Sequence, residues 1–252
     1  MGMEYIWLCL AAVAAGAVNA IAGGGTLLTF PALETVLPAH LANGTSTVAL
    51  FPGSFASMIG YRDRLAGCKR WILWLTPPSV LGGGLGVLLI EENSFRALVP
   101  FLILTAVILF LLQPTIARWV KQPVTPQEPT GKTLAIVVAI QFVIGIYGGY
   151  FGAGIGILML SSLSFLGLKD VHQTNALKTL LAFGINMSGA MMIILRGFVR
   201  WDYALAMMGA AIIGGYLGAR LSLKLKPVVV RTIIIVIGFG LSAYYFGKGF
   251  LP

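Results

Sequence analysis

Two glycine clusters interrupt long apolar runs of this 252-residue sequence, and a polar motif follows each of them. The first cluster, residues 23–26, has the sequence Gly-Gly-Gly-Thr, and the second, residues 152–154, has the sequence Gly-Ala-Gly. Inside a bilayer, unpaired backbone N–H groups are tolerated only where protein or a water-filled cavity satisfies them. A helix that starts at such a break offers free N–H donors and a partial positive charge, which suit an anion. The clusters therefore predict that a small anion binds at the breaks.

The polar motifs after the breaks add one fixed charge. Residues 43–46 have the sequence Asn-Gly-Thr-Ser, whereas residues 175–178 have the sequence Asn-Ala-Leu-Lys. Lys178 is the only charged residue between positions 173 and 195, and an ionisable residue within a membrane segment indicates a functional site by default. No carboxylate shares that segment, which favours an anionic substrate as the partner of Lys178. The alternative is that its long side chain extends back to the cytoplasmic interface.

These four motifs supply the candidate substrate-binding residues. They are Gly23, Gly24, Gly25, Thr26, Asn43, Thr45, Ser46, Gly152, Gly154, Asn175 and Lys178. Each part has a structural alternative: glycines allow helices to approach closely, Asn43 can cap its helix, and Ser46 or Thr47 can bond back to a carbonyl group. The glycines at 82–84 and 214–215 lie inside longer apolar runs, where we expect helix packing.

A few other polar residues lie within apolar runs. Asn19, Gln141 and Asn186 either bind substrate or bridge helices, and bridging is the interpretation that we favour. Glu34 ends a short segment and is the one carboxylate that the pattern places within the membrane. It is a candidate for proton coupling, although solvation in a loop explains it equally well.

Motifs of catalysis are missing from the sequence. It contains no HExxH, no GxSxG and no Walker lysine loop, and Cys9 and Cys68 match no metal or redox spacing. We therefore expect no enzyme activity, no metal ion and no cofactor.

Composition indicates a helical membrane protein. The chain is 58% hydrophobic and 10% charged, whereas roughly a quarter of the residues of a soluble domain are charged. The formal net charge is +9, but the basic residues lie in short loops between apolar runs. They are therefore interpreted as topology determinants and contacts to anionic lipid, and no nucleic-acid partner is expected.

The apolar runs predict ten helical segments in a single transmembrane domain, residues 1–252. Their bounds are 5–22, 26–37, 42–61, 70–90 and 95–113 in repeat one (5–113), and 133–150, 155–167, 173–195, 199–219 and 228–247 in repeat two (133–247). A proline-containing linker, 114–132, joins the repeats. Segments 26–37 and 155–167 are too short to cross a hydrocarbon core of about 30 Å, so they are either half-helices that fold back at the glycines or tilted short spans.

The charged loops predict that the two repeats are inverted. The loop at 62–70 is basic in repeat one, whereas the corresponding loop of repeat two is weakly charged and the loop at 220–231 is strongly basic. Because basic loops stay in the cytoplasm, five segments per repeat place both termini outside. The predicted pocket then takes backbone donors from both breaks and has its single cation on the cytoplasmic side.

The ordered set of motifs resembles the sulfite exporter TauE/SafE family of bacterial and archaeal permeases, from about Trp7 to Phe246. The resemblance depends on residues 16–31 and 42–46 in the first half and on 145–156, 175–178 and 214–219 in the second. The family pattern is closer to Gly-Thr-Lys where this chain has Ala176-Leu177-Lys178, so the lysine is retained and the hydroxyl is not.

The resemblance implies a multi-pass permease of the plasma (inner) membrane for small sulfur-containing anions such as sulfite, thiosulfate or sulfoacetate. The expected partners are the anionic substrate and the lipid bilayer, with a homodimer as the oligomer to test. A passive anion channel shares every sequence feature with a carrier. A membrane scaffold in sulfur metabolism is the remaining alternative, but no cysteine aligns with the breaks.

Overall fold

The computed structural model describes residues 2–21, 24–60, 62–119, 131–166, 168, 171–222 and 227–250. Throughout these residues the regular elements are helices, which confirms the all-α prediction. They are α1 (Gly2–Ile21), α2 (Thr26–Glu34), α3 (Ala39–Gly60), α4 (Lys69–Leu88), α5 (Glu92–Trp119), α6 (Gly131–Tyr150), α7 (Ile155–Leu163), α8 (Val171–Leu195), α9 (Trp201–Ser222) and α10 (Pro227–Phe250), with 3₁₀ turns at Arg62–Arg64, Ala66–Cys68 and Ser164–Leu166.

Each of the ten predicted segments corresponds to one helix. Five of the described helices are long and apolar enough to cross a membrane: α1, α4, α5, α6 and α8. The main difference lies at the predicted linker, because α5 continues through Pro114 to Trp119 and α6 begins at Gly131. A proline inside a helix removes one backbone hydrogen bond and crowds the carbonyl group four residues earlier, but α5 continues beyond it. The rest of the linker, 120–130, lies outside the described residues.

The chain forms two compact units, and each takes helices from both halves of the sequence. Unit 1 comprises Met1–Gly53, Ile90–Leu111 and Ile193–Pro252. It contains α1, α2, the start of α3, most of α5, and α9 and α10. Unit 2 comprises Ser54–Leu89 and Leu112–Met192, and it contains the end of α3 together with α4, α6, α7 and α8.

Unit 1 is built around a close contact between α1 and α9. The Tyr203 hydroxyl, near the start of α9, donates to Glu4 Oε2 near the start of α1. Further along both helices, a Cβ on Gly16 would overlap the Ala211 carbonyl oxygen, and one on Gly214 would overlap the Val13 backbone. The two helices therefore run parallel, and their glycines allow the close approach that is typical of membrane helices.

Unit 2 repeats this arrangement with α4 and α6. Gln141 Nε2 donates to Ser79 Oγ over 2.9 Å, and further along a Cβ on Gly86 would overlap the Ile146 carbonyl oxygen. This pair of helices is also parallel. In the alignment of the halves, α4 corresponds to α9 and α6 to α1, so the first helix of each half packs against the fourth helix of the other half.

These contacts confirm two interpretations made from the sequence. The glycines at 82–83 and 214 serve helix packing, because added Cβ atoms would enter the backbone of a neighbouring helix. Gln141 bridges α6 to α4, and Asn186 Nδ2 bridges α8 to α3 by donating to Ser54 Oγ over 3.0 Å.

A buried apolar cluster positions the short helix α7 within unit 2. Its members from α7 are Ile155, Met159 and Leu163, which recur every four residues on one face of the helix. They pack with side chains of α8 and α4. From α8 the cluster takes Leu177, Leu181 and Ile185. Because Leu177 faces this cluster, its neighbour Lys178 is held beside the start of α7.

Candidate anion-binding site

The first glycine break, before α2, is closed by a side chain of α1. Asn19 Oδ1 accepts hydrogen bonds from the backbone N–H groups of Gly24 at 3.0 Å and Gly25 at 2.7 Å. Gly24 has φ +123°, a backbone conformation that favours glycine. Two of the donors that the sequence assigns to substrate therefore have a partner inside unit 1. Thr26 begins α2 and is half-buried, and Gly23 lies outside the described residues.

The first polar motif lies near the start of α3 and is buried. Ser46 Oγ is 2.5 Å from Thr29 Oγ1 of α2, and Thr45 Oγ1 accepts from the backbone N–H of Arg200, just before α9, at 3.1 Å. Asn43 is also buried, and its carbonyl oxygen accepts from Thr47 Oγ1 at 2.9 Å. In unit 1 the hydroxyl groups of this motif thus hold α3 to α2 and to the start of α9.

The second break, before α7, has a different backbone conformation. Gly152 has φ +79° and Gly154 has φ +81°, whereas Ala153 between them has no positive φ. Gly152 N–H donates to the Tyr147 carbonyl oxygen over 3.2 Å. Among the described residues, no acceptor takes a hydrogen bond from the N–H groups of Gly154, Ile155 or Gly156. Gly154 and Ile155 are nevertheless buried, and buried N–H groups are almost always paired with a protein group, water or a ligand.

Tyr147 supports this open end of α7. Its hydroxyl donates to the carbonyl oxygen of Ala153 over 2.8 Å. The bond spans the turn between α6 and α7, with the Ala153 carbonyl group directed toward the tyrosine. Because a peptide unit directs its C=O and N–H groups in opposite directions, the same bond orients the Gly154 N–H away from Tyr147.

Lys178 lies beside the first turn of α7. Its Cδ atom would be 3.7 Å from a Cβ on Gly156, which is an ordinary packing distance, so the lysine side chain lies against this turn. Lys178 Nζ donates to Asn175 Oδ1 over 3.2 Å. In the part of the chain that the structure describes, no carboxylate forms an ion pair with Lys178. Lys178 is half-buried, and a cation that is largely removed from water without a described counter-ion favours an anionic ligand.

The structure thus places Lys178, with its amine bonded to Asn175, beside Gly156 in the first turn of α7, the helix that Gly152 and Gly154 precede. The described candidates of the first half belong to unit 1. The two polar motifs share one bond: Thr179 Oγ1 donates to the Asn175 carbonyl oxygen over 2.8 Å, as Thr47 Oγ1 does to that of Asn43. Only the second motif continues into a charged group.

Glu34, the carboxylate considered for proton coupling, lies at the end of α2 and is half-buried. The hydroxyl group of Tyr245 in α10 donates a hydrogen bond to Glu34 Oε2. No group of three or more His, Cys, Asp or Glu side chains suited to a metal ion occurs among the described residues.

Three residues of the two breaks were not identified from the sequence. They are Thr29, which bonds to Ser46, Tyr147, which bonds to Ala153, and Gly156, over which Lys178 lies. Of the three, Tyr147 could have been suggested by the sequence, because it bears a hydroxyl group and lies a few positions before the break. The other two look like ordinary helix residues in an apolar run.

The chain is similar to probable membrane transporter proteins along most of its length. The sequence profile of the sulfite exporter TauE/SafE family matches residues 8–245. A probable membrane transporter protein of Haemophilus influenzae is 28% identical over 231 residues, which are 90% of this chain and 88% of that protein. The probable membrane transporter proteins YunE of Bacillus subtilis (28% identical; 94% of this chain, 96% of that protein) and YfcA of Escherichia coli K12 (27%; 94% and 87%) are also similar. No solved structure matches the chain. This membrane protein therefore belongs to the sulfite exporter TauE/SafE family.

Proposed function

We propose that this member of the family is a secondary transporter of small sulfur-containing anions, such as sulfite, thiosulfate or sulfoacetate. The observation that carries the proposal is the position of Lys178 beside the open first turn of α7. The proposed site consists of the N–H groups of Gly154, Ile155 and Gly156 together with Lys178 Nζ. Asn175 holds the lysine amine.

The chemistry of these groups suits an oxyanion. A helix N-terminus has the equivalent of about +0.5 elementary charge, and Lys178 adds a full charge on a flexible side chain. Oxygen atoms of an anion can accept from adjacent N–H groups of the turn, as phosphates do at other helix N-termini. The donors in unit 2 are backbone groups held by the α7 packing, so binding requires little ordering of side chains.

The helix pairs support inverted repeats, and thereby alternating access. In a repeat of five segments, the first and fourth segments run in opposite directions across the membrane. If both repeats had the same orientation, α1 and α9 would be antiparallel, as would α4 and α6. Both pairs are parallel within their units, which favours inversion. Inverted repeats with binding sites at broken helices are typical of secondary transporters.

Transport by purified protein in liposomes tests the proposal directly. Internal sulfite, thiosulfate, sulfoacetate and sulfate are compared for efflux with and without a pH gradient. We expect Lys178→Ala to reduce sulfite transport roughly 10- to 150-fold, because hydrogen bonds to charged groups contribute about 1.5–3 kcal/mol. Lys178→Arg, which keeps the charge, should retain part of the activity.

Lys69→Ala is the matched control, because it removes the same charge from an exposed position at the start of α4 in the same unit. Its transport rate should equal that of the wild type. If Lys178→Ala also transports sulfite at the wild-type rate, Lys178 is not part of the site. Flux that is strictly downhill and independent of the pH gradient would instead exclude proton-coupled transport.

A further inference from the structure

Asn19 gives the first break an acceptor that belongs to the protein. Its single Oδ1 atom accepts from two consecutive N–H groups, those of Gly24 and Gly25. This is the arrangement in which an oxygen of a bound oxyanion accepts from the start of a helix. The neutral carboxamide satisfies the donors without bringing a charge, and the contact is close: a Cβ on Gly25 would be 3.0 Å from Asn19 Cγ.

The corresponding position of the second half has no side chain. Gly16 aligns with Gly145 and Gly25 with Gly154, and the same register places Gly148 opposite Asn19. A Cβ on Gly148 would be 2.8 Å from Ile185 Cγ2 and 3.4 Å from Ile155 Cγ2. The position therefore faces the turn, as Asn19 does, but supplies no oxygen. The buried N–H groups of Gly154 and Ile155 consequently have no acceptor among the described residues.

We propose that Asn19 occupies the first break as a built-in substitute for an anion, and that Gly148 keeps the second break open, so that each chain binds one anion. The inference rests on the proposed function, since it assumes that the second break binds substrate. Asn19 and Gly148 thereby determine which of the two breaks binds an anion, although neither residue contacts the charged groups of the substrate. Asn19 excludes an anion from the first break by competition for the donors, and Gly148 admits one to the second break.

Sulfite-dependent thermal stabilisation of the purified full-length protein in detergent tests this inference. Gly148→Asn places a carboxamide beside the second break, and we expect it to raise the sulfite concentration for half-maximal stabilisation at least tenfold. Gly148→Ala is the matched control: it meets the same Ile185 methyl group but adds no acceptor, so its sulfite response should persist. An equal loss in both variants would show that space, and not an acceptor, decides the effect, and would overturn the inference. A wild-type response of Gly148→Asn would overturn it as well.

The Asn19 variants provide an independent arm if the Gly148 variants do not fold. Asn19→Ala exposes the donors of Gly24 and Gly25, so its Tm should be lower without anion and should rise more with sulfite than that of the wild type. Asn19→Asp keeps an acceptor oxygen and should show the smaller, wild-type response. Equal sulfite responses of these two variants would contradict the built-in acceptor.

The same titration separates the two proposals. A wild-type protein that is not stabilised by any of the four anions would refute the proposed function, and the open second site with it. A wild-type protein that responds, together with Gly148 and Asn19 variants that do not differ as described, would refute only the inference.

Discussion

The two glycine breaks share a sequence pattern, but they differ in whether their backbone N–H groups have an acceptor within the protein. In unit 1, Asn19 accepts from Gly24 and Gly25, and Ser46 bonds to a threonine of α2. In unit 2, the N–H groups at the start of α7 have no described acceptor, and the position equivalent to Ser46 is Lys178. The first motif therefore holds helices together, whereas the donors of the second are the ones to which the proposed function assigns an anion.

The backbone shows the same divergence. Among the described residues of the first break, Gly24 and Gly25, the positive φ falls on Gly24, whereas those of the second break fall on Gly152 and Gly154. The aligned pair Gly25 and Gly154 accordingly differs, with φ −56° in Gly25 and +81° in Gly154. This explains why Ala153 is accepted where the first half has Gly24. An aligned glycine indicates that a position needs either space or conformational freedom, but the alignment does not show which of the two is needed.

The largest expected effect that tests this comparison comes from Gly154→Ala. A left-handed conformation costs a residue with a side chain roughly 1–2 kcal/mol, and relief of that strain would move the donors of α7. We expect sulfite transport in liposomes to fall roughly 10- to 100-fold, since a displacement of about 1 Å can cost that much.

Gly197→Ala is the control for Gly154→Ala. Gly197 has φ +69° and open space around its Cβ position, so the backbone penalty is similar but lies in the turn before α9. Its Tm should fall while transport persists. If both variants lose transport equally, the loss reflects stability and not the geometry of the second break.

An intermediate effect is expected from Tyr147→Phe, which removes the hydroxyl group that holds the Ala153 carbonyl. A hydrogen bond contributes about 1 kcal/mol, so the KM for sulfite should rise about fivefold. Tyr203→Phe removes the hydroxyl that bonds to Glu4 in unit 1 and should leave KM unchanged. An unchanged KM in Tyr147→Phe would show that the turn is held by its glycines alone.

The smallest effect is expected from Ser46→Ala in unit 1. It removes the bond to Thr29, so thermal unfolding should show a loss of about 1 kcal/mol in stability. Because the proposed site lies in unit 2, sulfite transport should be retained. Ser94→Ala, at an exposed bond to Glu91, is expected to change Tm less. Loss of transport at an unchanged Tm would return Ser46 to the binding site and weaken the distinction between the breaks.

Sequence patterns were sufficient to predict the positions of the helices, because apolar runs and the glycines and prolines that interrupt them are local properties of the sequence. The ten segments were predicted with bounds close to those observed, and the packing role of Gly82 and Gly214 followed from their place inside long runs. Prediction was weaker where a proline does not end its helix, as in α5 at Pro114. Inversion of the repeats stays a prediction, supported by the charged loops and by the parallel helix pairs.

For the site, sequence identified the breaks and Lys178, but it treated the donors of both halves as equivalent. Whether a donor is free depends on which side chain reaches it, and that side chain can come from another helix. Asn19 and Tyr147 each lie several residues before their break, and nothing in their residue types indicates which backbone group they bind.

The sequence by itself determined that this is a helical membrane protein with two glycine breaks, that Lys178 is the only charged residue of the apolar segment 173–195 after the second break, and that the chain belongs to a transporter family. Composition and motif order suffice for this, because both are properties of the chain. Only the tertiary structure decided that Asn19 closes the first break and that Lys178 lies beside the open second one. The physical reason is that hydrogen bonds are satisfied in three dimensions: a donor is available only where folding brings no acceptor to it.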